Sequence, residues 1–469
     1  MLQSKTAIQW PSYYIISVIV VFSTFAISAM TGFYYLAIIG AMFSALLITD
    51  IEVYKEFIAF TILLLISFQN FIIGYFGHIG EQFQNLTYLT QIPFIFLVFT
   101  YIFLILKRKL KFSKLTITIL FIICSIAFAL SKGGNVSDSL LQVRNLTTFY
   151  FAFEVGRYSI SDIKALKHFV KIYIILAYVM LFFGVLLLIG SYDLYKMIGI
   201  ENVYFAKGLP GEGTMAMPGR FTTDIFHVHI QRMGSLYYEP VTLSYFFSAV
   251  AIFSYIVEWT KSVLLRKSTS IIMTFGILLT GGKGGMLIVA SIIISSVLFK
   301  FFSLETIHLK STTAFWISTV ISFVIVGCFS NFYGQEYAGP AAAHFNTIEK
   351  TWQTIVNTPF GHGIAQGGFN SDSGNMEDIM STGAESALMS FGYQLGIQGV
   401  LAIFLSFYVM TKMVITNSHG QKYLLLAFIP LTLFGASLFQ LNTYTPQAII
   451  PFVMLIGGNI ADFEKERYK

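Results

Sequence analysis

The sequence predicts an all-α polytopic membrane protein, on three observations. Hydrophobic residues make up 56% of the 469 and charged residues only 11%, where soluble domains carry roughly 25%. Apolar stretches near the roughly 20 residues needed to cross the hydrocarbon core recur from one end of the chain to the other. The basic residues alternate strongly between successive loops, which marks a fixed orientation in a bilayer. The chain reads as a single integral membrane domain over residues 1–469, with about fourteen transmembrane helices.

The first span, 12–30, follows Lys5. Apolar sequence resumes at once in 32–49, so this stretch reads as a span and not as a cleaved signal. Spans 57–76 and 92–106 come next, closed by the cluster Lys107, Arg108, Lys109, Lys111 and Lys114. Span 115–131 carries no charge. Span 141–156 is weaker, because Arg144 and Glu154 fall inside it. They lie about three turns apart and are not expected to pair. An arginine in a span faces a cavity or a partner, whereas Glu154 is expected to be structural, near the inner surface.

Span 172–190 leads into the first large loop, 191–239, and spans 240–259, 268–281, 284–302 and 313–331 follow. The second large loop, 331–384, precedes spans 385–411, 423–440 and 445–460. With the N-terminus cytoplasmic, 21 of the 29 basic residues fall on the inner side. Both termini are then cytoplasmic and both large loops lie outside. The net charge of +6 is mostly this topology signal and calls for no nucleic acid. A basic inner face also suits anionic membrane lipid. Cys124 and Cys328 sit in apolar runs, as small buried residues do.

Candidate chemistry clusters at the outer boundary. The first loop carries Arg220, His227, His229, Arg232 and Glu239 just before a span. At the water–lipid boundary an arginine can grip phosphate oxygens bidentately; the plainer alternative for Arg232 and Arg220 is interfacial snorkelling. His227 and His229 alternate like one face of a strand. No third ligand stands at a metal-binding spacing, and no metal is expected.

"LLTGGKGGMLIV", residues 278–289, sets four glycines around Lys283. The apolar run from Ser268 is short, so Gly281–Gly285 is expected to be an outer turn dipping below the surface. Irregular backbone at that depth lines a cavity. Freed glycine amides and the next helix N-terminus would suit an anion; a tight turn with a snorkelling lysine is the alternative.

In the second loop, Phe345, Ile348, Trp352, Ile355 and Val356 form an apolar stripe at helical spacing. They predict an amphipathic helix on the outer leaflet, ending at Pro359. Glu385, at the head of a span, can have a raised pKa suited to a general base, or can simply complement the helix dipole. His362, between two glycines, is a second candidate.

Four segments, "RMGSLYYEP", "LLTGGKGGMLIV", "TWQTIVNTPFGHG" and "GAESALMSFGYQLGIQGV", occur in order between Arg232 and Val400. Together they resemble the O-antigen polymerase and ligase superfamily of bacterial surface-polysaccharide assembly. The resemblance implies a glycosyltransferase-C-like enzyme in the bacterial inner membrane, acting at its periplasmic face. It implies undecaprenyl-diphosphate-linked oligosaccharide as donor and acceptor, no cofactor, and a chain-length regulator and a repeat-unit flippase as partners. Arg232 and Lys283, with Arg220, Arg144, His229 and His362, would bind the diphosphate and substrate, and Glu385 or Glu239 would act as base.

Departures from the family are informative. Gly282-Lys283 stands where Ser-Arg is common, and only His344 and Lys350 flank the tryptophan motif. Glu385-Ser386 stands where ligases usually place a histidine, which favours polymerase over ligase. The remaining alternative is a lipid-linked oligosaccharide flippase. Transporters usually show repeats and short loops, and this sequence has neither.

Overall fold

The computed structural model describes residues 10–52, 54–77, 86–133, 136–207, 221–225, 228–303, 340–366, 386–417 and 425–466, with four isolated positions between 317 and 324. Among them the regular structure is helical apart from one antiparallel hairpin, β1 (Thr222–Ile225) and β2 (Val228–Gln231). The longer helices in the first half are α1 (Trp10–Thr31), α2 (Tyr34–Ile48), α3 (Glu56–Phe76), α4 (Ile92–Leu106), α5 (Leu115–Leu130), α6 (Val136–Ser159) and α7 (Ile163–Ile189). Two short ones, α8 (Ser191–Met197) and α9 (Ile200–Ala206), lie in the first large loop. Then come α10 (Pro240–Ile256), α11 (Val263–Thr280), α12 (Lys283–Ser303) and α13 (Pro340–Asn357). The last are α14 (Ala387–Leu395), α15 (Ile397–Asn417), α16 (Phe428–Phe439) and α17 (Pro446–Glu466).

Local chemistry explains several of the starts. Asp162, Ser262 and Ser386 each accept a hydrogen bond from the backbone N–H three residues on, at 2.8, 3.2 and 3.2 Å. These side chains cap α7, α11 and α14. Pro240 opens α10, where its missing N–H costs nothing.

Among the described residues, five helices are long and apolar enough to cross a membrane: Tyr13–Thr31, α3, α7, α11 and α15. Seven shorter apolar helices, of 10–17 residues, accompany them. The protein is therefore an all-α, membrane-embedded chain. The expected span 313–331 lies outside the described residues, apart from the four isolated positions.

Three expected spans change. The weak 268–281 becomes the 18-residue α11, because Ser262 caps it early and Arg266 reaches Glu258 at 3.4 Å. The weak 141–156 becomes the 24-residue α6, whose polar groups find local partners. Arg144 Nε and Nη2 donate to Asn145 Oδ1 at 3.1 and 3.0 Å. Glu154, fully buried, holds Arg157 at 2.8 Å one turn away. The expected 385–411 is interrupted. Gly396, at φ +79°, separates α14 from α15.

The chain forms two compact units. The first comprises 1–111, 151–285 and 446–469; the second comprises 112–150 and 286–445. In the first, α10 is buried on almost every side, as a helix that is apolar all round must be. It packs against α11 and α17, and Tyr173 of α7 donates to its Phe246 carbonyl at 3.0 Å. In the second, α5 packs on α15, where Ser406 Oγ donates to Thr118 Oγ1 at 2.9 Å. There α13 packs on α14.

Candidate functional site

The glycine corner lies between α11 and α12. Gly281 takes the left-handed conformation, φ +56°, and its N–H returns to Leu278 O at 3.0 Å. This is how helices commonly stop. The next three glycines serve packing. A Cβ at Gly282 would stand 2.3 Å from Ser244 Cβ, one at Gly284 2.4 Å from Tyr245 Oη, and one at Gly285 2.6 Å from Ser244 O. Only glycine lets the start of α12 lie this close to α10.

The expectation of free glycine amides is corrected at two of them. Gly282 N–H donates to Thr280 Oγ1 at 3.1 Å and Gly285 N–H to Ser244 Oγ at 3.2 Å. The expected turn is a two-residue helix–helix corner. Lys283, the first residue of α12, is exposed.

Arg232 reaches the same corner. Its backbone N–H donates to Phe221 O at 2.7 Å, and the next N–H, of Met233, to Leu279 O at 2.9 Å. Its Nε then donates to Thr280 O at 2.8 Å. The cation thus caps the negative end of α11. Thr280 and Lys283 are three residues apart, so their Cα atoms are at most about 11 Å from each other. Arg232 and Lys283 therefore stand at one corner.

From Arg232 the chain enters a buried turn that ends at Glu239. Ser235 and Tyr238 both have positive φ, 49° and 51°. Neither is glycine, so this backbone is strained and persists only where its surroundings over-determine it. They do so here. Gly234 N–H donates to Tyr195 Oη at 3.0 Å, Ser235 Oγ to Met180 O at 2.6 Å, and Tyr238 Oη to Ile198 O at 2.7 Å. From α3, Ser67 meets Tyr237 Oη at 3.3 Å and Asn70 donates to the Tyr237 carbonyl. Gly74 leaves room for the Tyr238 ring. Glu239 follows at the head of α10, only 4% exposed. A carboxylate held there by a strained turn is the kind of feature found at functional sites.

The second unit contains the helix break. The turn Thr358–Ala365 fills the gap between α14 and α15. Ile397 N–H donates to Pro359 O at 2.9 Å, His362 N–H to Tyr393 O at 2.9 Å, and Ala365 N–H to Gln394 Oε1 at 2.8 Å. A Cβ at Gly396 would stand 2.2 Å from Pro359 O. The His362 ring stacks on Tyr393 with centroids 4.2 Å apart, and its Nε2 is 2.9 Å from Thr358 Oγ1. Lys132, beyond the end of α5, binds Phe360 O at 3.0 Å and Gly361 O at 2.5 Å. Burial, and secondarily the Lys132 charge, holds the His362 imidazole below its ordinary pKa. His362 is therefore neutral near pH 7 and can accept a proton or a hydrogen bond.

Arg232, Lys283 and Glu239 belong to the first unit; His362 and Arg144 belong to the second. His229 lies on β2, in register with Asp224. Arg220, His227 and Glu385 lie outside the described residues. Among the described residues no group of three or more His, Cys, Asp or Glu could hold a metal ion. Sequence reasoning missed Lys132, Tyr393 and the strained pair Ser235 and Tyr238. The only signal for Lys132 was a lone lysine in a short outer loop. For the strained pair there was none, since neither is glycine. No family model, curated protein or solved structure matches the chain.

Proposed function

We propose that the protein polymerises undecaprenyl-diphosphate-linked repeat units into surface polysaccharide at the periplasmic face of a bacterial inner membrane. The observation that carries this reading is the corner that Arg232 and Lys283 share, beside a strained, buried turn ending in Glu239. Two cations at one helix corner suit a diphosphate leaving group. The acceptor hydroxyl attacks the anomeric carbon of the donor, the glycosidic bond to the diphosphate breaks, and a base takes the hydroxyl proton. The base is assigned to Glu385, with Glu239, His227 and His229 behind it. The fourteen spans, the two outer loops and the cytoplasmic termini belong to this reading. A cysteine introduced in 197–230 should react in intact cells; reaction only after inner-membrane permeabilisation would reverse the orientation.

The interrupted helix at Gly396 favours a second reading, a lipid-linked oligosaccharide flippase, since transporters build sites from broken helices. Deletion distinguishes them. A polymerase null leaves lipopolysaccharide with one repeat unit, a ligase null leaves polymer stalled on its carrier, and a flippase null traps repeat units inside. In purified protein, Glu385→Gln should slow transfer by roughly 10²–10⁴-fold while substrate still binds. Lys283→Ala should abolish polymerisation and Lys283→Arg should retain it; full activity in both Glu385→Gln and Lys283→Ala would end the assignment.

A further inference from the structure

We infer that the Trp352–Val356–Phe360 edge of α13 and the turn after it is seated in the headgroup boundary of a lipid leaflet, continuing the lipid-facing side of α5. The helix is divided lengthwise. Thr347, Thr351 and Ile355, each four residues apart, are 2%, 0% and 0% exposed. Ile355 packs where Gly392 of α14 leaves room, with Cδ1 2.6 Å from a Cβ placed there. Trp352 and Val356 are 45% and 53% exposed, and Phe360 is 62% exposed. Glu349, Lys350 and Gln353 form the polar exposed side. The apolar stripe read from the sequence is therefore split. Its Ile355 is held by protein, and its Trp352 and Val356 are left outward with Phe360.

The occupant follows from α5. Ile117, Leu120, Phe121 and Phe128 make an exposed apolar side of that helix, which in a membrane-embedded chain faces lipid. The Phe360 ring meets Phe128, with centroids 6.0 Å apart, so the α13 edge is continuous with this surface. Phe128 lies in the last turn of α5, where a spanning helix leaves the hydrocarbon. Lys132 follows, its ammonium 5.0 Å over the Phe128 ring and bonded to the Phe360 and Gly361 carbonyls. Aromatic rings beside a lysine at a helix end are what the headgroup region accepts. Lys132 ties the turn after α13 to this depth. The inference rests on membrane embedding alone and is independent of any reaction.

The test uses the full chain, which has four tryptophans: Trp10, Trp259, Trp316 and Trp352. Replacing the first three by phenylalanine leaves Trp352 as the reporter. The protein is placed in phosphatidylcholine–phosphatidylglycerol nanodiscs carrying nitroxide either near the glycerol or near the chain end. Quenching by the shallow nitroxide should be at least about twofold stronger than by the deep one, with weak quenching by aqueous acrylamide. Strong acrylamide quenching with no effect of either nitroxide would place the edge in water and overturn the inference; stronger quenching by the deep label would overturn it too. If the triple variant does not fold, Val356→Cys in a Cys124→Ser, Cys328→Ser background takes a spin label. Its accessibility should favour oxygen over a water-soluble nickel chelate, and the reverse order would refute the seat.

Discussion

Gly285→Ala asks whether the glycines of the corner serve packing. A Cβ at 285 would stand 2.6 Å from the Ser244 carbonyl oxygen and 2.7 Å from Ser248 Oγ, where ordinary contact begins at 3.4 Å. The Ser244 oxygen is backbone within a helix buried on nearly every side, so it cannot yield alone. The facing backbones of α10 and α12 must separate by about 0.8 Å, the difference between 3.4 and 2.6 Å. That separation stretches two hydrogen bonds, Gly285 N–H to Ser244 Oγ at 3.2 Å and Ser248 Oγ to Gly285 O at 3.1 Å. Overpacking costs about 1–3 kcal/mol and the two weakened bonds about 1 kcal/mol each. Alanine's better helix propensity returns about 1 kcal/mol. The net loss is about 2–4 kcal/mol. Lys283→Ala, at an exposed neighbouring position, should change stability by no more than about 0.5 kcal/mol. Thermal melting of the purified protein, followed by size-exclusion fluorescence, should fall by several degrees for Gly285→Ala and stay put for Lys283→Ala. A Gly285→Ala melt equal to wild type would refute the packing account, and the glycines would again need a ligand to explain them.

Two further predictions concern Glu154 and His362. Glu154→Ala leaves the buried Arg157 without its 2.8 Å partner and should cost about 3–5 kcal/mol, whereas Glu154→Leu with Arg157→Met should recover most of the loss. Equal melting of the single and double variants would show that the pair is not the cause. His362 is held below its ordinary pKa by burial and by Lys132, so between the folded and unfolded values the unfolded chain binds more protons. Stability then rises with pH and is lost on acidification below about pH 6.5. Hydrogen exchange of peptides covering 358–366 should lose protection in that window, and Lys132→Met should shrink the loss. Protection that is constant down to about pH 5 would contradict it.

The helices were legible because lipid imposes a simple rule on long apolar stretches. Twelve of the expected spans overlap apolar helices. The interruption at Gly396 was not legible, because its cause is tertiary. "SALMSFGYQLGIQGV" reads as one continuous span, and only the Pro359 carbonyl, 2.2 Å from where a Cβ would be, demands glycine there. The strain at Ser235 and Tyr238 was equally hidden, since it is set by α3, α7 and the short helices of the first loop. The Lys132 clamp joins residues 228 and 229 positions apart. The amphipathic stripe was visible, but its division between protein and exterior was not. Sequence spacing places residues on a helix face without saying which neighbour covers it.

The two glycine clusters therefore exchanged roles. The one that looked like a break in the membrane is a close-packed corner, and the one that looked like ordinary span is the break. Packing accounts for Gly281, Gly282, Gly284 and Gly285, one through its positive φ and three through their approach to α10. It does not account for Lys283. A corner that needed only close approach would accept any exposed side chain at that position. A lysine there shares the corner with Arg232, whose Nε already neutralises the end of α11 at Thr280, so a second cation adds no capping. At a helix N-terminus, where the dipole is positive, a cation is also the less favoured choice. An anion bound at the helix end would offset that penalty. The charge at 283 is thus the remainder that packing leaves, and it is the part of the corner that the diphosphate reading explains.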